Sequence, residues 1–550
     1  MQDDKEALQD ELEQLQELDE LGELGDDEEK KSNIQSSAAL MTVLVVVSRL
    51  TGFMRTWAQA FAMGATVLAS CYEVANNLPT EIYELVTAGM LVTAFLPVYV
   101  SVRRRLGREA SNEYVSNLTS IVVLITGAIT LLSFIFAAQI IWTQSFSAVE
   151  EFEADRAVWF FRFFVIEIVL YALSTIFQGV CNAERDYLWT FMAPIFNNVV
   201  VMTSFISYGL LANTNPTLAL LILAIGNPLG VLVQVALQIP PMRRHGVRIH
   251  WKVDFSDPAL KDTVKIGVPA IVVMVTSFTT NAFQTNAMLS FTAIGGSIAQ
   301  YSLLWYNLPY AVFAVPVTTV LFTELSDYYA AGDMESFKDM VVTGTNRIAF
   351  TLVPFAMYLA VFSSALVTII SGGRFEAEAA ALCTVFLVWR TPSLPFYGIG
   401  MYLQKACSAT RKMQLYAGAS VACGIVQILL LRFVAPVAGV WMVLFSSCVF
   451  YVVFDAIVLY SLQRSYGHMG TRRMVAGMAR SVFFGALGAA TGLGIMTLVT
   501  PLLHAGPVLN SLIICIVAGI PSVVVTYGTA TLLKAPEAVA VNAVIGRFKK

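Results

Sequence analysis

Charge is what this sequence has least of: 13% of its 550 residues are Asp, Glu, Lys or Arg, about half the fraction usual in a soluble globular domain. So little charge over so long a chain excludes a string of water-exposed domains. Histidine is scarcer still, and His245, His250, His468 and His504 stand apart in loops or at helix ends, so no histidine metal cluster is expected. The cysteines (Cys71, Cys181, Cys383, Cys407, Cys423, Cys448 and Cys515) are scattered, mostly in apolar runs, without a C-x-x-C pair. That spacing suits neither a zinc site nor a disulfide framework. Walker A, GxSxG and HExxH patterns are missing from places where they could act, which argues against an ATP-driven pump or a hydrolase. No catalytic residue, metal, bound cofactor or nucleic-acid partner is therefore expected. A basic stretch ahead of the first apolar run is also missing, so the first membrane segment is expected to act as an uncleaved targeting signal.

What the chain has in abundance is apolar sequence, with 57% hydrophobic residues and a mean hydropathy of +0.69. Stretches of the roughly 20 residues needed to cross a bilayer recur near 38–62, 73–102, 116–141, 158–180, 189–211, 218–242, 264–291, 298–325, 346–370, 378–404, 415–431, 437–462, 474–499 and 509–533. The expected fold class is an all-α integral membrane protein of about fourteen transmembrane helices. The charge that remains is segregated. Residues 1–31 hold 14 of the 38 acids and three lysines, leaving 31 basic against 24 acidic residues in the body. With a cytoplasmic N-terminus, the inner loops carry nineteen Lys and Arg, from Arg103–Arg105 through Arg185, Arg243 and Arg411 to Arg473, and the outer loops only Arg156, Arg374 and Arg432. This positive-inside bias supports an even number of spans with both termini inside.

Two motifs recur. Asn77-Leu78-Pro79 in the second span returns as Asn307-Leu308-Pro309 in the eighth, 230 residues on, and Cys181-Asn-Ala183-Glu-Arg185 returns as Cys407-Ser-Ala409-Thr-Arg411, 226 residues on. Both pairs fall six helices apart, which implies two six-helix halves of the same orientation related by an axis along the membrane normal, followed by two extra helices. The corresponding division is an acidic cytoplasmic tail at 1–37, a first half at 38–242, a basic linker at 243–265, a second half at 266–462, and the extra helices with a short tail at 463–550. Within the first tail, Leu8, Leu12, Leu15, Leu18, Leu21 and Leu24 recur every three or four residues. They fit an amphipathic helix that docks a cytoplasmic or divisome protein at 1–31, or equally a solvated acidic tail.

Charges inside membrane spans are costly and mark cavities. Arg49 and Arg55 interrupt the first span around Gly52, and a guanidinium's planar donor fork suits phosphate oxygens. The bland reading is that one or both snorkel to lipid headgroups. In the second span Glu73, Asn77 and Glu84 fall within about 40° of one another on a helix, with Glu81 about 80° away. This stripe either balances the arginines and couples a cation, or forms static salt bridges. Arg162 and Glu167 in the fourth span and Arg390 in the tenth are further candidates for coupling or charge balance.

The run Ser48-Arg49-x-x-Gly52-Phe53-x-Arg55, followed by Asn77-Leu78-Pro79 and Phe95-Leu96-Pro97, resembles the opening of the MurJ/MviN family of lipid II flippases. That family belongs to the superfamily that also holds multidrug and oligosaccharide or polysaccharide exporters. Asn182-Ala183-x-Arg185, Ala193-Pro194, Asn197-Asn198, Leu308-Pro309, Leu325-Ser326, Gly332-Asp333 and Gly373-Arg374-Phe375 continue the likeness to about residue 415. The resemblance implies a bacterial cytoplasmic-membrane protein that moves a lipid-linked peptidoglycan precursor by alternating access. It also implies that Arg49 and Arg55, with Asn77 and Glu84 nearby, engage the pyrophosphate and head group, and that the last two helices frame a groove for the lipid tail. Coupling would be to the membrane potential or a monovalent cation. The sequence departs from the family pattern at Tyr83 and Glu84, where a basic residue is expected, at Ser70, where an acid is expected, and at Leu304, where the eighth span carries an arginine. Those departures keep a second reading open, a transport-deficient scaffold of cell-wall assembly, beside a third, a related polysaccharide or drug exporter.

Overall fold

The computed structural model describes residues 43–88 and 95–538; the leucine-periodic acidic segment lies outside them. The first helical rod is α1 (43–63), and the second is α2 (Val67–Tyr83) continued by a π turn at Glu84–Ala88. The third lies in α3 (Leu96–Ile135) and α4 (Ala137–Ser145), the fourth in α5 (Ala154–Phe164) and α6 (Glu167–Ala183), the fifth in α7 (Tyr187–Leu211) and the sixth in α8 (Pro216–Arg244). The second half opens with α9 (Pro258–Leu289), then α10 (Gly295–Pro309), a π turn at Tyr310–Ala314 and α11 (Val315–Ala330) as one rod. It continues with α12 (Met334–Val361) and α13 (Ser363–Ile370), α14 (Ala377–Arg390) and α15 (Leu394–Ala409), α16 (Met413–Leu429) and α17 (Ala435–Ala438), and α18 (Val440–Tyr466). Last come α19 (Thr471–Val499) and α20 (Pro507–Leu532).

Eleven of these rods are long and apolar enough to cross a membrane, counted among the described residues. The first, second and seventh fall outside that set, and the second and seventh carry polar side chains into the site below. The arrangement is consistent with the fourteen-span expectation.

Local chemistry places the breaks. Thr66 starts α2 by accepting from the Ala69 amide at 3.2 Å, and Asn215, followed by Pro216, starts α8 by accepting from Leu218 N at 3.1 Å. Both are side-chain N-caps. Gly107, at φ 85°, breaks α3 between the second and third rods, and Gly332, at φ 76°, makes the matching break between the eighth and ninth. The repeated arginine motifs are helix ends as well. Arg185 (φ 61°) and Arg411 (φ 56°) adopt the same left-handed backbone, while Asp186 N reaches Cys181 O at 2.9 Å and Lys412 N reaches Cys407 O at 2.8 Å. This is the Schellman closure, with arginine where glycine is usual, and it occurs at the same point of both halves.

Two large apolar cores form, one around Tyr72, Phe160, Phe161 and Phe164 and one around Tyr301, Phe337, Phe386 and Tyr402. The segment crossing between the halves is strapped to α3. Asn117 donates to Asp254 O at 2.8 Å and accepts from Asp254 N at 2.7 Å, Ser120 Oγ accepts from Lys252 N at 3.1 Å, and Lys252 Nζ meets Glu113 at 2.6 Å.

Candidate functional site

Beside its apolar core, the first half holds a buried polar cluster. Glu73, 2% exposed, accepts from Gln59 Nε2 at 2.5 Å. Glu167 is fully buried; both its oxygens accept from Asn227 Nδ2 at 3.2 Å, and Tyr171 donates to one of them at 3.3 Å. Asn227 also donates to Asn76 Oδ1. Half-buried Arg55 lies within electrostatic range of both Glu73 and Glu167. A burial this complete is tolerable for carboxyl groups only because amides and a nearby cation replace lost water.

Between the halves lies a cavity of about 290 Å³. The second rod contributes Glu73, Asn77 and Glu81, α9 contributes Asn281 and Gln284, α10 contributes Gln300 and Leu303, and α14 contributes Arg390. Asn281 Nδ2 donates to Glu81 Oε1 across the interface at 3.4 Å. On another face of the eighth rod an apolar groove of about 540 Å³ runs past Trp305, Leu308, Pro309 and Phe313, walled by Phe355 and Phe362 of the ninth rod and by Ile520 and Val524 of α20. One rod is therefore wall to both a polar cavity and an apolar groove.

One end of the cleft is sealed by hydrogen bonds between the halves, two of them backbone to backbone. Arg374 N donates to Phe61 O at 3.3 Å, Tyr301 Oη to Gly64 O at 2.9 Å, Gly296 N to Ser70 Oγ at 3.0 Å and Val149 N to Leu289 O at 3.0 Å. Two glycines allow the approach. A Cβ on Gly373 would stand 2.2 Å from Phe61 O, and one on Gly64, which sits at φ +65°, would stand 2.3 Å from Arg374 O. The opposite end of the bundle carries the arginine-rich loops.

The structure thus gathers Glu73, Asn77, Glu81 and Arg390 around one cavity. Arg49 is exposed on α1, within electrostatic range of Tyr310 and Tyr397 of the second half, so the two first-span arginines address opposite halves. Glu84 sits further along the second rod at the start of its π turn, exposed and close enough to Glu81 to repel it. Arg162 stays outside the cluster, with its guanidinium 5.7 Å from the Phe134 ring centroid. Of the two extra helices, α20 lines the groove, whereas α19 contributes none of its described lining residues. The glycines of α19 hold it against neighbouring helices instead, Gly485 on Pro354 and Gly488 on Thr526. Sequence reasoning missed Gln59, Asn227, Asn281, Gln284 and Gln300. The available signal was an amide inside an apolar run, weaker than a charge but subject to the same solvation cost.

Two six-helix halves around a shared polar cavity, sealed at one end and flanked by an apolar groove, are the build of a polytopic membrane carrier. A family model described as lipid II flippase MurJ matches residues 59–514, and the chain belongs to that family. It is 23% identical over 352 residues to the probable lipid II flippase MurJ of Treponema pallidum, a match covering 62% of this chain and 64% of that protein. To the lipid II flippase MurJ of Burkholderia cenocepacia it is 25% identical over 383 residues, 66% of this chain and 70% of that one. Among solved structures, a lipid II flippase MurJ in an inward closed conformation superposes with a TM-score of 0.72 at 18% identity, covering 90% of this chain and 99% of that chain. An inward-facing multidrug MATE transporter gives 0.64 at 10% identity, covering 79% and 99%. These likenesses establish the fold.

Proposed function

We propose that the protein carries an undecaprenyl-pyrophosphate-linked peptidoglycan precursor, lipid II, across the bacterial cytoplasmic membrane by alternating access. The observation that supports this most is the shared wall. The eighth rod turns Gln300 and Leu303 to the polar cavity and Trp305, Leu308 and Pro309 to the apolar groove, so an amphiphile can seat its head in one and its tail in the other. A drug-sized solute would need no such groove. Family membership points to the same substrate. Arg49 and Arg55 engage the pyrophosphate from the cleft, and Glu73 and Glu167 are the groups through which a monovalent cation or the membrane potential, worth about 2.3 kcal/mol per charge per 100 mV, would act on the first half. The acidic segment 1–31 recruits a cytoplasmic or divisome protein. Cells depleted of the protein should accumulate lipid-linked precursor that stays inaccessible to an externally added enzyme or label that modifies it. Normal external accessibility after depletion would refute the reading.

In this reading the arginine-rich end faces the cytoplasm and both termini lie inside. Six of the seven cysteines are buried, so introduced thiols report cleanly. Glu151→Cys should react with a membrane-impermeant thiol reagent on intact cells. Trp251→Cys, at a position 67% exposed, should react only after permeabilisation. The reverse pattern would invert the topology.

A further inference from the structure

Arg390 is a buried cation with few partners among the described residues. It ends α14, where a 3-10 turn at Thr391–Ser393 interrupts the tenth rod, and it is 6% exposed. Among the described residues its side chain makes one hydrogen bond, a long one, from Nη1 to Ala299 O at 3.4 Å. A guanidinium has five N–H donors. The groups that act on it electrostatically are Tyr306, Cys383 and Tyr451, all uncharged, and no salt bridge among the described residues reaches it. A buried charge without a counter-charge is strongly unfavourable unless something supplies one, and this one stands in the wall of the inter-half cavity.

The facing wall has complementary chemistry. Glu73 and Glu81 each use one carboxylate oxygen, on Gln59 and Asn281, and each leaves the other without a partner. The cavity therefore offers a donor fork on the second half and spare acceptors on the first. A ligand that satisfies both carries an anion next to hydroxyl or ammonium donors. The guanidinium also reaches the eighth rod at Ala299, about a turn and a half from Leu304, the position at which that rod itself has no cation to offer.

We propose that Arg390 is the diphosphate-holding residue of the second half, and that this cavity takes a polyprenyl diphosphate whose head bears hydroxyl or ammonium groups for Glu73 and Glu81. This rests on the lipid-carrier reading above and adds a ligand residue to it. With the ligand bound, Arg390 holds the diphosphate from the second half, and Arg55, within electrostatic range of Glu73 on the facing wall, acts on it from the first. The two halves are then bridged by the substrate itself.

The test uses the full chain in lipid nanodiscs, with farnesyl diphosphate and farnesol as probes and thermal melting as a fold control. Wild type should bind the diphosphate more tightly than the alcohol. Arg390→Gln should cut diphosphate affinity by about tenfold or more, the worth of a charge-assisted hydrogen bond, and leave farnesol binding unchanged. A purely structural role would weaken both probes together, and that result overturns the proposal. Arg390→Lys, which can keep a bond to Ala299 O, should retain part of the diphosphate advantage because the charge stays and the fork is lost; if Arg390→Gln fails to fold, an undiminished advantage in Arg390→Lys overturns the proposal. Should Arg390→Gln bind like wild type while Arg49→Ala loses the advantage, this inference alone falls. If wild type shows no diphosphate advantage, the carrier reading falls with it.

Discussion

Cells whose only copy carries Arg49→Ala should fail to expose the lipid-linked precursor on the outer face, although the protein reaches the membrane in normal amounts. Arg49 is exposed on α1 and electrostatically linked to Tyr310 and Tyr397 across the cleft, so its charge is available to a ligand bound between the halves. Losing a charge-assisted hydrogen bond to the ligand costs about 1.5–3 kcal/mol, roughly tenfold to a hundredfold in affinity. Insertion becomes easier without the charge, which separates a transport defect from a folding defect. Arg49→Lys should rescue partly, since an ammonium keeps the charge and loses the planar fork. If Arg49→Ala supports growth as well as wild type, the cavity-cation mechanism is wrong. A scaffold role would then account better for the departures at Tyr83 and Leu304, and deletion of residues 1–31 would abolish function instead.

Gly64→Val should open the sealed end of the cleft and abolish transport while sparing both cores. The backbone at Gly64 has φ +65°, and a Cβ there would stand 2.3 Å from Arg374 O. Positive φ is a genuine outlier for a β-branched residue, and the contact is with backbone, which cannot rotate away. The halves must then part at this end, breaking the Tyr301–Gly64 and Arg374–Phe61 bonds. A thiol introduced at Gln300 on the cavity wall reports the change: in Gly64→Val it should react with an impermeant reagent added outside, and in the parent it should not. Equal protection in both would show that the seal does not depend on this glycine contact.

Much of the fold was legible because a bilayer constrains it so strongly. With no water to satisfy backbone groups, every span must be a helix of set length. The repeat was legible for a different reason. Cys181–Arg185 and Cys407–Arg411 carry one helix-terminating geometry, and the two arginines hold the same left-handed turn. Intramembrane charges pointed to the cavity, and Glu73, Asn77, Glu81 and Arg390 do line it.

Other features had no one-dimensional signature. Helical angle alone put Glu84 beside Glu73, yet depth along the rod decides which residues share a cavity. Arg162 has the same intramembrane placement as Arg390, but one finds an aromatic face at Phe134 and the other a cavity wall. The sequence by itself determined the helical class, the order of the spans, the duplicated halves and the residues too polar for lipid, because hydration cost and helix period are properties of single segments. Only the tertiary structure decided which of those residues meet, that α20 rather than α19 walls the groove, and that Gly64 and Gly373 close one end of the cleft. Those outcomes depend on contacts between segments hundreds of residues apart, where a single missing Cβ decides whether two backbones can touch.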